Sequence, residues 1–420
     1  MFSVPEQQQE AAMKQQLHIW RQHPPIDDEY INRFAEFITT TLTCKEGKPD
    51  KRRYKKMTDD APRHYPWNES GYFLHCNNTA ARATSLKASV HFTTKEGGMA
   101  RECLQSLNTE VYSILLQIGR EFIAENCKDL DNWIAEKVSQ GISLPTIVKF
   151  EDEGPLGPGN PDKPWTVLPP PDEMYRLMVY TLAPHSVRVD RYLHVSDDFC
   201  FMNQQTVDIN VPFRPYLQPM ALTSEGGKIR VVTVHPAPCV TVARNLTHRT
   251  IRLLKHFGAT KPQLRGKTSK LTRTAIPGET FKLLSLDLSK ATDHMPHEVA
   301  QQAIDAIGEY LEWAEDEKYA AKIILGPQIV RGSQTRQGVH MGLGLGWPIL
   351  CMANAFAAAE AGIPMSASTI CGDDFLALAT EEEFAKFKIA LEKLGLIINN
   401  DKTTLADRGV FCEQFASMLY

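Results

Sequence analysis

Two short apolar runs, residues 366–371 and 375–379, enclose the tripeptide Gly372-Asp373-Asp374, and nothing else in the chain restricts the fold as much. Runs of that length joined by a glycine-led turn read as a β-hairpin with the acids at its tip. A lone hairpin is marginal in water, so further strands and helices must cover it. The flanking sequence supplies them. Residues 281–288 (FKLLSLDL) have a strand pattern, and Pro296 sits in the first turn of a helix with the stripe Ala300, Ala303, Ile304, Ile307 and Leu311. A glycine-rich loop leads into a second helix, with Pro348 near its start, Gly362 past its end and Pro364 beyond. Thr380-Glu381-Glu382-Glu383 is a capping box that opens a helix with Phe384, Phe387, Leu391 and Leu394 on one face and Gly395 as its stop. A last short strand is predicted over 410–415. The order strand, helix, helix, hairpin, helix, strand predicts an α+β fold, a small antiparallel sheet with helices packed on one side.

Upstream the organisation is looser. Residues 102–138 read mostly as helix, with Leu104, Leu107, Val111, Leu115, Ile118 and Phe122 at spacings of three and four. Residues 153–171 hold seven prolines and three glycines, which excludes a helix or inner strand and predicts an extended junction between sub-domains. The nine cysteines are odd in number and form no Cys-x-x-Cys pair, so free thiols are expected rather than a disulfide framework or zinc ribbon. No apolar run reaches 18 residues and the start lacks a signal-peptide layout, so the expectation is a soluble, intracellular chain. Asn-x-Ser/Thr triplets at Asn68, Asn77 and Asn245 are then chance matches.

The net charge of −4 argues against a tail-driven polyanion binder, but the average conceals a division. From Gly226 to Gly278 there are eleven Lys/Arg and no Asp or Glu, whereas residues 287–420 carry nineteen acids against ten bases. A basic block is followed directly by an acidic one. A polyanion held by the first, with a metal-binding carboxylate cluster in the second, accounts for both signs. A smaller run, Lys51 to Lys56, reads as an exposed strip.

Asp287 ends an apolar strand whose one other charge is Lys282, a costly place for a purely structural carboxylate. If strand and hairpin are sheet neighbours, Asp287 and Asp373 end side by side. Carboxylates at adjacent strand ends form a site for two Mg²⁺ ions about 3.5–4 Å apart, with Mn²⁺ as a substitute, an arrangement suited to in-line attack at a phosphoryl centre.

The segments Asp287-Leu-Ser-Lys-Ala-Thr-Asp293, Gly338-Val-His-Met-Gly342-Leu-Gly-Leu-Gly346-Trp347-Pro348 with Asn354, and Cys371-Gly-Asp-Asp-Phe375 resemble motifs A, B and C of viral RNA-dependent RNA polymerases of the narnavirus, levivirus and botourmiavirus lineage of positive-strand RNA viruses. Gly227-Lys228-Ile-Arg230-Val-Val-Thr233 with His235-Pro-Ala-Pro-Cys239 resembles motif F, Gly395 to Thr403 motif D, and Val410 to Phe415 motif E. The motifs stand in the family order over about 190 residues.

The resemblance implies a right-hand polymerase: an N-terminal extension (1–60), fingers (61–275, with motif F at 226–239), palm (276–409) and motif E with the start of a truncated thumb (410–420). It implies an RNA-directed RNA polymerase that replicates a viral RNA genome from NTPs, with RNA template and product as partners and the host cytoplasm, or a mitochondrion, as its location. The expectation for the thumb is that it is either cut off or supplied by a second polypeptide.

Asp287, Asp373 and Asp374 are the implied metal ligands, and Lys402 the candidate proton donor to pyrophosphate, with Lys393 as competitor. Asp293 and Gly342 lie near the ribose and template. A polar acceptor at 293 favours a 2′-hydroxyl, hence RNA rather than DNA synthesis. Position 346 is glycine where relatives usually carry a Ser or Thr hydroxyl; Asn354, eight residues on, is either the substitute near the ribose or a structural polar group of the helix. Lys228 and Arg230, alternating along a strand, face the triphosphate; Arg244 and Arg249 belong to the RNA path. His294 and His297 are expected as exposed helix-start residues. Two other readings are a reverse transcriptase-like enzyme, which Asp293 and the 342–347 loop oppose, and a non-catalytic RNA-binding fragment that holds RNA through the basic block.

Overall fold

A computed structural model describes residues 6–43, 84–85, 87–106, 171–183, 185–196, 199–209, 213, 215–223, 229–266, 270–274 and 278–418. The helices are α1 (Glu6–Arg21), α2 (Asp28–Thr43), α3 (Gly98–Ser106), α4 (Pro171–Leu182), α5 (Ala237–Ile251), the single turn α6 (Ala291–His294), α7 (His297–Tyr310), α8 (Glu315–Leu325), α9 (Gly346–Ala361) and α10 (Glu381–Lys393). The strands are β1 (His185–Ser196), β2 (Phe199–Ile209), β3 (Gln218–Thr223), β4 (Ile229–Val234), β5 (Lys282–Leu286), β6 (Ile329–Val330), β7 (Ser333–Gln334), β8 (Ser368–Cys371), β9 (Asp374–Ala379), β10 (Thr404–Ala406), β11 (Arg408–Phe411) and β12 (Gln414–Ser417). The chain is thus mixed α and β with small antiparallel sheets, as its patterning predicts.

The central sheet has the order β10-β5-β9-β8 and is antiparallel throughout. Side chains alternate between its faces. Leu284, Leu286, Phe375, Ala377 and Ala379 enter the main core under the helices. Leu283, Leu376 and Leu378 emerge on the other side, where Phe411 and Ala416 of the β11–β12 hairpin cover them. The helix α9 is apolar all round and thirteen of its sixteen residues are buried, so it must run through the middle of the core. Its Phe356 meets Tyr30, Phe34 and Phe37 of α2 with ring centroids 5.2, 5.5 and 5.5 Å away. Residues 28–43 therefore belong to this core rather than trailing from it.

The predicted capping box forms: Glu383 N donates to Thr380 Oγ1 at 3.2 Å and Thr380 N to Glu383 Oε2 at 2.8 Å. Arg273, the last cation of the basic block, forks onto the same Glu383 and donates to the Leu378 carbonyl at 2.7 Å. That residue stabilises the sheet–helix junction.

The single strand expected over 410–415 is instead a hairpin. Cys412 and Glu413 turn it with φ of 48° and 61°, a conformation that neither residue type advertises. β10 and α8 were not foreseen; the first is three residues long, and the second opens inside an acidic cluster. α3 covers the start of the helix expected over 102–138, and the rest of that stretch, the 153–171 junction before Pro171, and the Lys51 to Lys56 run lie outside the described residues. Cys103, Cys239, Cys351, Cys371 and Cys412 are free thiols. No described helix is long and apolar enough to cross a membrane.

Candidate active site

The strands β5 and β9 end together, since Leu286 pairs with Phe375 and Cys371 with Asp374. Continuing that register by one residue sets Asp287 across from Asp374, with Asp373 in the connecting turn, so three carboxylates share one end of the sheet. The turn needs glycine at 372 for two reasons: its φ is 66°, and a Cβ there would lie 2.6 Å from Trp347 Nε1. From below, α9 fastens it. Asn354 Nδ2 donates to the Gly372 carbonyl at 2.8 Å and Gly372 N donates to Cys351 Sγ at 3.1 Å.

Burial raises the Asp373 carboxyl above the ordinary value, and the negative charge of Asp287 raises it further; Lys402 and Arg230 oppose this. Asp374 is likewise raised, by burial first and then by Asp373. Lys402 Nζ donates to Asp287 Oδ2 at 2.7 Å, a bond that raises the lysine's own pKa. Asn399 grips the same aspartate twice, through Nδ2 to Oδ2 at 3.2 Å and through its backbone N to the Asp287 carbonyl at 2.9 Å. Arg230, exposed on β4, is near enough to act on Asp373. Lys228 lies outside the described residues.

Among the described residues no three His, Cys, Asp or Glu side chains converge into a ready-made metal cage. Mg²⁺ does not require one, because it retains waters and takes one or two carboxylates plus substrate phosphates. Asp287 and Asp373 are hard oxygen donors whose charges repel, and a divalent cation between them relieves that repulsion. The donor set fits the ion.

Lys290, at φ 46°, turns the chain out of β5 so that Asp293 N donates to the Lys290 carbonyl at 2.8 Å. Trp20 Nε1 of α1 then donates to Asp293 Oδ1 at 2.9 Å. Burial raises the Asp293 carboxyl, while Trp20, Gln16 and Lys290 oppose that shift. Asn354, expected near the ribose, is wholly buried and committed to Gly372, so it acts on the acidic turn instead. A hydroxyl at 346 has no room, because a Cβ there would lie 2.6 Å from Val339 Cγ1. Gly342 is exposed on one side and closed on the other, where a Cβ would lie 2.9 Å from the Thr233 carbonyl of β4.

Two expectations require correction. Arg249, expected on the RNA path, is 4% exposed and forms an ion pair with Glu317, also donating to the Tyr175 hydroxyl at 2.7 Å. A side chain so enclosed holds the fold. Arg244, one turn earlier, is exposed. His297 is buried, not exposed, and burial lowers its pKa to about 4.

The structure therefore gathers Asp287, Asp373, Asp374, Lys402 and Arg230, places Asp293 beside Trp20, and removes Asn354 and Arg249 from direct contact. Sequence reasoning missed Trp20, Asn399 and Cys351. Of these, Asn399 lies inside the motif D stretch, while Trp20 is 273 residues from its partner and had no local signal.

No family model matches the chain. The insertion-loop deletion mutant of the RNA-dependent RNA polymerase of a human picobirnavirus aligns with a TM-score of 0.35 and 15% identity, over 56% of this chain and 48% of that one. The RNA-directed RNA polymerase of Saccharomyces 23S RNA narnavirus is 27% identical over 187 residues, which is 39% of this chain and 20% of that protein. The match thus spans about a fifth of the relative's length. The chain is similar to a narnavirus RNA-directed RNA polymerase, in agreement with the resemblance that its own motifs carry.

Proposed function

We propose that this chain carries the nucleotidyl-transfer centre of a viral RNA-directed RNA polymerase, which copies an RNA template from NTPs during genome replication. One observation carries the reading: Asp287 and Asp373-Asp374 meet at one sheet end, with Lys402 bonded to Asp287 and Arg230 within electrostatic reach of Asp373. In this reading the four-stranded sheet is the palm of a right-hand polymerase, the β3–β4 ribbon belongs to the fingers, and the β11–β12 hairpin leads toward a thumb.

Asp287 and Asp373, with Asp374 next to them, would hold two Mg²⁺ ions. When bound, such ions neutralise charge at the phosphoryl centre and lower the pKa of an attacking hydroxyl. The rest of the work falls to side chains. Arg230 offers a planar fork of donors to the triphosphate oxygens. Lys402, held at Asp287, is a proton source for the leaving pyrophosphate. Asp293 has Oδ1 committed to Trp20, so Oδ2 is the acceptor for a ribose 2′-hydroxyl.

Primed-template incorporation with Mg²⁺ tests this. Asp287→Ala and Asp373→Ala should each lower NTP incorporation by roughly 100-fold or more, as loss of preorganised charge at a reacting centre does. RNA affinity should stay near that of the parent. Normal incorporation by either variant refutes the assignment, and a preference for dNTPs would move it to reverse transcription.

A further inference from the structure

We propose that Trp20, on the N-terminal helix α1, is a positioning residue for sugar recognition: its indole N–H orients the Asp293 carboxylate to accept the 2′-hydroxyl of the incoming nucleotide. This rests on the polymerase reading above and names a residue that sets its ribose specificity.

Trp20 is fully buried and its ring is locked from several sides. Its carbonyl accepts from Arg336 N at 2.7 Å, and the ring meets His340 edge-on with centroids 4.8 Å apart. At Gly338, whose φ is 108°, a Cβ would lie 2.9 Å from Trp20 Cδ1, so the backbone leading into the glycine-rich loop closes directly over the indole. The N–H is the only polar atom of that side chain, and Asp293 Oδ1 satisfies it at 2.9 Å. The terminal torsion of a carboxylate is broad, and one fixed donor on Oδ1 narrows it.

Two groups outside α1 that could orient Asp293 are absent or engaged. Glycine occupies 346 with no space for a hydroxyl, and Asn354 is committed to Gly372. Gln16, one turn before Trp20, is also buried, and its side chain favours the charged form of Asp293, so α1 turns a second polar group toward that carboxylate. α1 also packs on β3 and β4, the latter carrying Arg230, as well as on α6. One helix thus frames both the sugar side and the phosphate side of the site.

The test uses the full chain on a primed RNA template and compares kcat/KM for an NTP and its 2′-deoxy counterpart. Trp20→Phe removes the N–H, and replacement of Trp20 by benzothienylalanine, in which sulfur stands for the N–H, does so with the ring shape preserved. Both should lower the NTP/dNTP selectivity roughly tenfold, the size expected for one hydrogen bond to a charged group, through a raised KM for the NTP with the dNTP values unmoved. Asp293→Asn should lower it as well, and adding Trp20→Phe to Asp293→Asn should lower it no further. If Trp20→Phe fails to fold, the isosteric analogue decides. Unchanged selectivity in the analogue with selectivity lost in Asp293→Asn overturns the role of Trp20 and leaves the polymerase reading standing. Additive losses, or full selectivity in Asp293→Asn, also overturn it. Absence of NTP incorporation by the unaltered chain, or full incorporation by Asp287→Ala, overturns the polymerase reading itself.

Discussion

Arg249 offers a test that separates fold from binding. It sits in the acid-free stretch, yet its guanidinium is 4% exposed and paired with a Glu317 carboxylate that is 5% exposed. Tyr175 donates to the same Glu317 oxygen at 2.6 Å, and the indole of Trp313 lies 5.2 Å from the guanidinium carbon. Arg249→Met leaves Glu317 buried without its cation, which costs about 3–5 kcal/mol. An unfolding entropy of about 2.1 cal/mol/K per residue over 420 residues is about 0.9 kcal/mol/K, so the melting temperature should fall by about 3–6 °C. Adding Glu317→Leu removes the stranded charge and should recover most of that loss, leaving about 1–2 kcal/mol for the bonds Tyr175 and Ala314 N make to Glu317. RNA affinity and its salt dependence, measured on folded protein by filter binding, should match the parent in both variants. A drop in RNA affinity with an unchanged melting temperature would refute the argument and return Arg249 to the nucleic-acid surface.

Two further outcomes are expected. Asn354→Ala leaves the Gly372 carbonyl without its donor and loosens the acidic turn, so kcat for nucleotide addition should fall about tenfold with RNA affinity unchanged; a fall in RNA affinity alone would point to a different role. The raised Asp373 and Asp374 carboxyls mean that the folded chain binds protons more tightly than the unfolded one, so stability declines as pH rises through their shifted range. In chelator at pH 8, Asp373→Asn should therefore melt above the parent, and millimolar Mg²⁺ should raise the parent and not the variant; identical melting temperatures would show that the carboxylates do not repel.

Much of the sheet and its helices was legible because local rules agree there. β5, β8 and β9 are short apolar runs, α10 carries its own capping box, and α9 is bracketed by Pro348 and Gly362. The acids were legible because charge at the end of an apolar strand is costly without a purpose. What escaped was non-local. Glu317 lies 68 residues from Arg249, and nothing near either reveals that they meet. The β11–β12 turn uses Cys412 and Glu413 where glycine or asparagine would have announced it. An acid-free block looks uniformly available from its composition, but Arg249 and Arg273 are spent on internal carboxylates while Arg230 is exposed on β4.

The seating of Gly372 on α9 divides the site mechanically. The acidic turn is bolted by Asn354 and Cys351 to a helix that the core encloses on every side, so it is a fixed anvil. The Asn399 to Lys402 turn meets the site from another part of the chain, through Asp287. The metal-ligand candidates Asp287 and Asp373 are therefore held differently at one sheet end: Asp287 continues β5 and is gripped by the Asn399 to Lys402 turn, whereas Asp373 sits in the turn that α9 seats.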